Sequence, residues 1–244
     1  MQELASRISA ARRLTVVTGA GVSAASGVPT FRGPQGLWKS FRPEDLATPG
    51  AFARDPQLVW EWYDWRRTRI AACQPNAAHH AIAVWSRRPG FTLVTQNVDG
   101  LHERAGTEHV VRYHGSIWNL RCTRPCEGGA HDWEDRTVPL PGLPPRCPYC
   151  GACARPGVVW FGEGIPEEAA RAAQAATACD VFLSIGTSSV VYPAAGLLYE
   201  AKRHGAFTAE INPESTASAA IVDVAIPMTA EDALPQLQRL VDSD

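Results

Sequence analysis

Two cysteine pairs, Cys122-x3-Cys126 and Cys147-x2-Cys150, put four thiols into one short stretch with 20 residues between the pairs. Four thiolates are the donor set of a closed tetrahedral zinc site, which keeps no open position and so serves structure. Zinc pairs more often open as C-x2-C, so the first pair is a departure that stays within known zinc spacing. Cys153 follows as a fifth donor able to replace a neighbour. The total of seven cysteines is odd, which argues against a secreted disulfide framework. Cys73 and Cys179 stand apart from the cluster and read as buried thiols.

Two other constellations suit anions. TGAGVSAASG places Gly19-x-Gly21-x-x-Ala24 after a β-branched run, the form of a turn that brings backbone close to a pyrophosphate. In VWEWYDWRR, Tyr63 and Arg66 are three apart and share one face of a helix. An arginine fork can hold a carboxylate bidentately, and a phenol can add one hydrogen bond. On spacing alone, a surface arginine packed along Trp62 or Trp65 competes with that reading. Arg67 reads as a surface residue.

The elements that must position these groups alternate. Buried strands are expected within 14–21, 91–100, 109–116, 180–189 and 205–214, and at 222–228. Helices are expected at 56–72, at 76–87 with Asn76 as cap, at 167–178, 194–204 and 231–241. Residues 29–49 read as loop or short helices, and 120–157 show little period. Such alternation indicates an α/β fold with a doubly wound parallel sheet, into which the cysteine segment is inserted as a small module. The polar exits GAG, QNVDG, YHGS, GTSS and INPE all follow strands, so they converge where such sheets bind ligands. A dehydrogenase would need a second strand ending in an acidic residue about 20 residues past the glycines, and SGVPTFRGPQGLW there is loop chemistry. Phe31 and Arg32 in it suit a cover over a bound ligand.

With 45% hydrophobic and 20% charged residues and a net charge of −2, composition is ordinary for a globular protein. No basic excess points to nucleic acid, and the acidic EGGAHDWEDR argues against a zinc-ribbon nucleic-acid binder. No apolar run reaches the ~18 residues of a membrane span. The start of the chain, with Leu4, Ile8 and Ala11 at helical spacing, reads as a helix leading into the first strand rather than a transit peptide. A soluble cytoplasmic protein is expected.

Taken in order, GAGVSAASGVPTFRG, TQNVDGLHERAG, YHGS, the four cysteines with RPGVVWFGE, SIGTSS and INPE resemble the sirtuin family of NAD-dependent protein-lysine deacylases. The resemblance spans Gly19 to Glu214. It implies a Rossmann-like domain (residues 1–33, 81–119 and 158–244) with an inserted small module, helical over 34–80 and zinc-binding over 120–157. It implies cleavage of NAD to nicotinamide, free lysine and 2′-O-acyl-ADP-ribose. His114 matches the catalytic base, whose titration range suits that task, with Asn97 and Asp99 at the nicotinamide ribose. Cofactor contacts are implied for Gly19, Ala20, Gly21, Ser23, Thr30, Phe31, Arg32, Trp38, Gln96, Asn97, Asp99, Gly186, Thr187, Ser188, Asn212, Pro213, Glu214 and Ala230. Cys122, Cys126, Cys147 and Cys150 match the zinc ligands, remote from the chemistry.

Val158, Trp160 and Phe161 match the segment that pairs with an extended peptide. Tyr63, Arg66 and the small Ala47 match the desuccinylase/demalonylase branch, in which the Tyr-x-x-Arg pair meets the acyl carboxylate. Partners implied are acylated-lysine proteins, with no nucleic acid or membrane and a monomeric chain expected. A plain deacetylase and an ADP-ribosyltransferase are the alternatives.

Overall fold

The computed structural model describes residues 1–29, 40–124, 126, 132–188 and 190–243. Six parallel strands form the larger sheet: β1 (Leu14–Thr18), β2 (Phe91–Thr95), β3 (Val110–Arg112), β7 (Val181–Ile185), β8 (Phe207–Ile211) and β9 (Val224–Ile226), in the spatial order β3-β2-β1-β7-β8-β9. Every residue of β1 and of β7 is buried, as a strand covered by helices on both faces must be. Alternation divides them between two cores. Leu14, Val16, Leu183 and Ile185 pack with α1 (Gln2–Ala10), α6 (Ala77–Ser86) and α10 (Ala230–Ser243). Val17 and Phe182 face the other way, toward Ala173 of α8 (Glu167–Ala176) and toward Leu197, Leu198 and Ala201 of α9 (Gly196–Arg203).

The chain runs outward from β1 through β2 to β3, then returns to add β7 on the opposite side of β1. The crevice at the ends of β1 and β7 is thus the switch point of the sheet.

HVVRYHGS is not one strand. β3 stops at Arg112, and β4 (Gly115–Cys122) begins in a second, antiparallel sheet of order β5-β4-β6, with β5 (Asp132–Glu134) and β6 (Ala154–Val158). The break falls where Gly115 takes φ +77, a conformation that suits glycine. A domain boundary drawn at 119/120 therefore falls inside β4. One drawn at 80/81 falls inside α6, whose Ala78 and Ile82 both belong to the large-sheet core.

The small sheet packs on α5 (Pro56–Ala71), with α3 (Pro43–Leu46) and α4 (Pro49–Arg54) beside it. Asp55 caps α5 by accepting from the Leu58 N–H, and Pro56 opens its first turn. This helix buries residues all round: Val59, Trp60, Trp62, Tyr63, Arg66, Arg67 and Ile70. Among the described residues, no helix is long and apolar enough to cross a membrane.

Arg67 is therefore not a surface residue. It is fully buried, donates to the carbonyls of Ile117, Asp135 and Thr137 at 2.9, 2.7 and 3.0 Å, and pairs with the Asp135 carboxylate at 3.3 Å. Its face of α5 is covered by β4 and the turn after β5, elements that are not local in sequence. Arg67→Met is expected to cost about 3–5 kcal/mol, because Asp135 and three carbonyls lose a buried cation. Urea unfolding of the variant checks this, and a loss below about 1 kcal/mol, the worth of an exposed pair, would contradict it.

Candidate active site

The glycine turn sits in the crevice. Gly19 N–H donates to the Ile185 carbonyl at 3.0 Å and Gly21 N–H to the Gly186 carbonyl at 2.8 Å. A Cβ on Gly19 would lie 2.8 Å from that same carbonyl oxygen, and one on Gly21 2.8 Å from the Gly186 Cα. The glycines are thus already required by contact between the exits of β1 and β7, before any ligand is considered.

Next to this turn, the loop after β2 is laced to its neighbours. Asn97 Nδ2 donates to the Gly19 carbonyl at 3.0 Å and lies 3.3 Å from Ser23 Oγ. Ser23 donates to Asp99 Oδ2 at 2.8 Å, while Asp99 Oδ1 accepts from Leu101 N–H at 2.9 Å. Trp118 of β4 donates its indole N–H to the Asp99 carbonyl at 2.7 Å, tying the small sheet to the loop. Burial pushes the Asp99 carboxyl up, against the opposing pull of its two hydrogen bonds.

Two histidines without assigned roles lie under this loop. His79 is 3.4 Å from Ser23 Oγ and is oriented by Asn76, and its ring is 4.8 Å from that of His102. Burial lowers both to about 3, so both are neutral packing partners. His80 is exposed.

Gln96 and Thr187 join β2 to β7 through a 3.1 Å bond, and Asn212 at the end of β8 donates to the Thr187 carbonyl at 2.8 Å. Gln96, Thr187, Ser184 and Ala194 line a narrow cleft there. Ala20 flanks the glycine turn, and Ser188 follows Thr187, both half-buried. Pro213 and Glu214 are exposed, whereas Ala230 opens α10 inside the core. Thr30, Phe31, Arg32 and Trp38 lie outside the described residues.

His114 stands in the turn between β3 and β4, half-buried, with Nδ1 3.1 Å from the Gln96 carbonyl. A carbonyl only accepts, so Nδ1 carries the hydrogen and the neutral ring presents a bare Nε2. Burial holds its pKa below the usual histidine range, partly offset by the Gln96 bond.

The segment after β6 links His114 to the aromatic helix. Val158 ends β6, buried, and Val159 N–H donates to the His114 carbonyl at 2.9 Å. Phe161 N–H donates to the carbonyl of buried Ala47 at 2.9 Å, and the Phe161 side chain is exposed. Trp160 donates its indole N–H to Tyr63 Oη at 2.9 Å. Tyr63 and Arg66 are 1% and 7% exposed, and the guanidinium lies 4.9 Å from the Trp62 ring and 5.8 Å from that of Tyr63. Burial pushes Tyr63 up to about 12 and lowers Arg66, whose charge also feels Asp99. The Tyr63–Arg66 pair is thus enclosed, and the Arg66 charge reaches Asp99 of the loop after β2.

In the small module the ligand atoms of Cys122, Cys126, Cys147 and Cys150 all lie within 4.8 Å of one another. Cys122 Sγ lies 3.5 Å from Cys150 Sγ, and Cys126 Sγ lies 4.0 Å from Cys147 Sγ. Tetrahedral zinc with bonds of ~2.3 Å needs sulfurs roughly 3.8 Å apart, so the donor set fits. Cys153 is not a fifth donor: its thiol points to the Ala154 carbonyl at 3.4 Å. Cys73 and Cys179 are buried as expected.

Fold and site together define a doubly wound nucleotide-binding protein carrying a separate four-thiolate metal module. A profile of the Sir2 family matches residues 19–193. An NAD-dependent protein deacylase of Aquifex aeolicus is 51% identical over 213 residues, 86% of this chain and 87% of that one. A Sir2 homologue solved with 2′-O-acetyl ADP ribose aligns with TM-score 0.93 and 43% identity, covering 100% of this chain and 97% of the other. A Sir2 structure with a p53 peptide and NAD+ aligns with TM-score 0.85 and 25% identity, covering 100% and 99%. The chain belongs to the Sir2 family.

Proposed function

We propose that this Sir2-family enzyme, an NAD-dependent protein deacylase, removes succinyl or malonyl as well as acetyl groups from protein lysines. The products are nicotinamide and the 2′-O-acyl-ADP-ribose. The observation that carries the acyl preference is the enclosed pair of Tyr63 and Arg66. The guanidinium is only 7% exposed, so a carboxylate brought beside it would meet a charge little screened by water, and it shares its setting with a phenol that burial keeps neutral. Ala47, buried in the same cluster as Tyr63, is small, as a longer acyl chain would require.

NAD, when bound, supplies the ribose carbon that takes over the acyl oxygen as nicotinamide leaves. This chain supplies the positions. The exits of β1, β7 and β8, with Gly19, Gly21, Ser23, Gly186, Thr187, Ser188, Asn212 and Glu214, offer amides, hydroxyls and one carboxylate for phosphates and ribose. Asn97 and Asp99 hold the nicotinamide side through their bonds to Gly19 and Ser23. His114 accepts a ribose hydroxyl proton at Nε2, the nitrogen its Gln96 bond leaves bare. The segment from Val158 to Phe161, which continues edge strand β6 of the small sheet, suits an extended acyl-lysine peptide, as main-chain pairing accepts many sequences. Four cysteines would hold zinc, which here ties strands together and takes no part in the reaction.

The test compares initial rates on succinyl-lysine and acetyl-lysine peptides of one sequence. Arg66→Met is expected to lower the succinyl/acetyl ratio of kcat/KM by roughly tenfold to a hundredfold, the scale of a charged hydrogen bond. An unchanged ratio leaves a plain deacetylase. Label from NAD found on protein rather than on a small acyl product would instead indicate ADP-ribosyl transfer.

A further inference from the structure

Trp160 stands between two polar systems. On one side Arg155 of β6 forms a bidentate pair with Glu163, at 2.6 and 2.9 Å, and its guanidinium lies 3.6 Å from the centre of the Trp160 ring. Glu163 Oε2 also accepts from the Trp160 backbone N–H at 2.9 Å, and Arg155 donates to the Val158 carbonyl at 3.0 Å. Phe52 closes the ring's surroundings at 5.3 Å. On the other side the indole N–H goes to Tyr63 Oη.

The phenol oxygen therefore acts as acceptor toward Trp160, and its own hydrogen must point elsewhere. Among the described residues nothing accepts that hydrogen. A phenol that accepts one hydrogen bond is also a better donor in the next. Burial keeps Tyr63 protonated, so the hydrogen stays available at working pH.

We propose that Arg155 and Glu163 are positioning residues for acyl selection: they fix the Trp160 indole, whose N–H occupies the Tyr63 oxygen and turns the phenol hydrogen toward the distal carboxylate beside Arg66. This rests on the dicarboxylic-acyl reading of Tyr63 and Arg66. An acetyl group offers no carboxylate to that hydrogen. The ordering of Tyr63 therefore counts for succinyl-lysine and not for acetyl-lysine, whereas general damage to the peptide edge lowers both.

The test uses the full chain as wild type, Glu163→Gln, Trp160→Phe and the double variant, with Arg66→Met as reference. Each single variant is expected to lower the succinyl/acetyl ratio of kcat/KM roughly three- to tenfold, the scale of one neutral hydrogen bond. The loss should appear in KM for the succinyl peptide, since the carboxylate is held before and during reaction. Because Glu163 acts through Trp160, the double variant should lose no more than the larger single loss. Trp160→Phe keeps an aromatic ring and carries the test alone where Glu163→Gln does not fold. Unchanged ratios, or losses that multiply in the double variant, overturn the proposal. An unchanged ratio in Arg66→Met overturns the carboxylate reading as well. A lowered ratio there with unchanged ratios in the other two overturns only the positioning role.

Discussion

His114→Ala is expected to lose roughly 10²–10⁴ of turnover, the usual worth of a positioned general base, with little change in binding of the acyl peptide. Among the described residues the imidazole is held at one nitrogen, by the Gln96 carbonyl, so the variant removes a proton acceptor without dismantling the loop. The pH profile gives a second reading. Burial depresses the pKa of His114 and the Gln96 bond restores part of it. The base form is the active one, so activity falls as pH drops through that depressed value and is full above it. The acid limb of kcat/KM should therefore lie below about 6.5, the ordinary histidine value, and should vanish in His114→Ala. A variant that keeps more than about a tenth of turnover, or a wild-type limb at or above 6.5, would contradict the assignment.

The large sheet was legible because strands covered on both faces read as unbroken apolar runs, as LTVVT and VFLSI do. The small sheet was not. Its β4 mixes buried and half-buried residues without a clean period, around tryptophan, asparagine and arginine. The three residues of β5 are held to β4 partly by the Arg121–Asp132 pair at 2.8 and 2.9 Å, a long-range contact. The same reason hid Arg67. It follows Arg66 by one residue, about a quarter turn around the helix, and only the partner elements reveal that both faces are enclosed. The glycines were legible as a turn, but their contact with Gly186 needed β7 beside β1. Arg155 falls in the segment read as zinc-binding and Glu163 at the end of the one read for peptide pairing, so nothing in the sequence joined them. Asp99 was visible in a polar strand exit and Ser23 only through the family resemblance, whereas the bond between them follows from the parallel pairing of β1 and β2.

Loss of the metal should have the second large effect, and it should reach the chemistry. Cys122 ends β4, while Cys147 lies in the segment before β6, its N–H bonded to the Ala152 carbonyl at 2.8 Å. The four thiolates thus join the far ends of two paired strands. The near ends of the same strands hold His114, since β4 starts at Gly115 and Val159 after β6 donates to the His114 carbonyl. Trp60 of α5 also donates its indole N–H to the Ala154 carbonyl at 2.7 Å, so the aromatic helix depends on the same edge. Structural zinc contributes about 10–16 kcal/mol of apparent binding energy at pH 7 in small domains, more than the contacts of a three-stranded sheet replace. Cys147→Ser is expected to purify without zinc, to melt at lower temperature and to lose deacylation of acetyl- and succinyl-lysine alike. Cys153→Ser should keep metal and activity, because its thiol bonds the Ala154 carbonyl outside the cluster. Elemental analysis with thermal melts before and after chelation checks both. A wild-type protein that holds no zinc and melts unchanged in chelator would refute the assignment, as would release of the metal by Cys153→Ser.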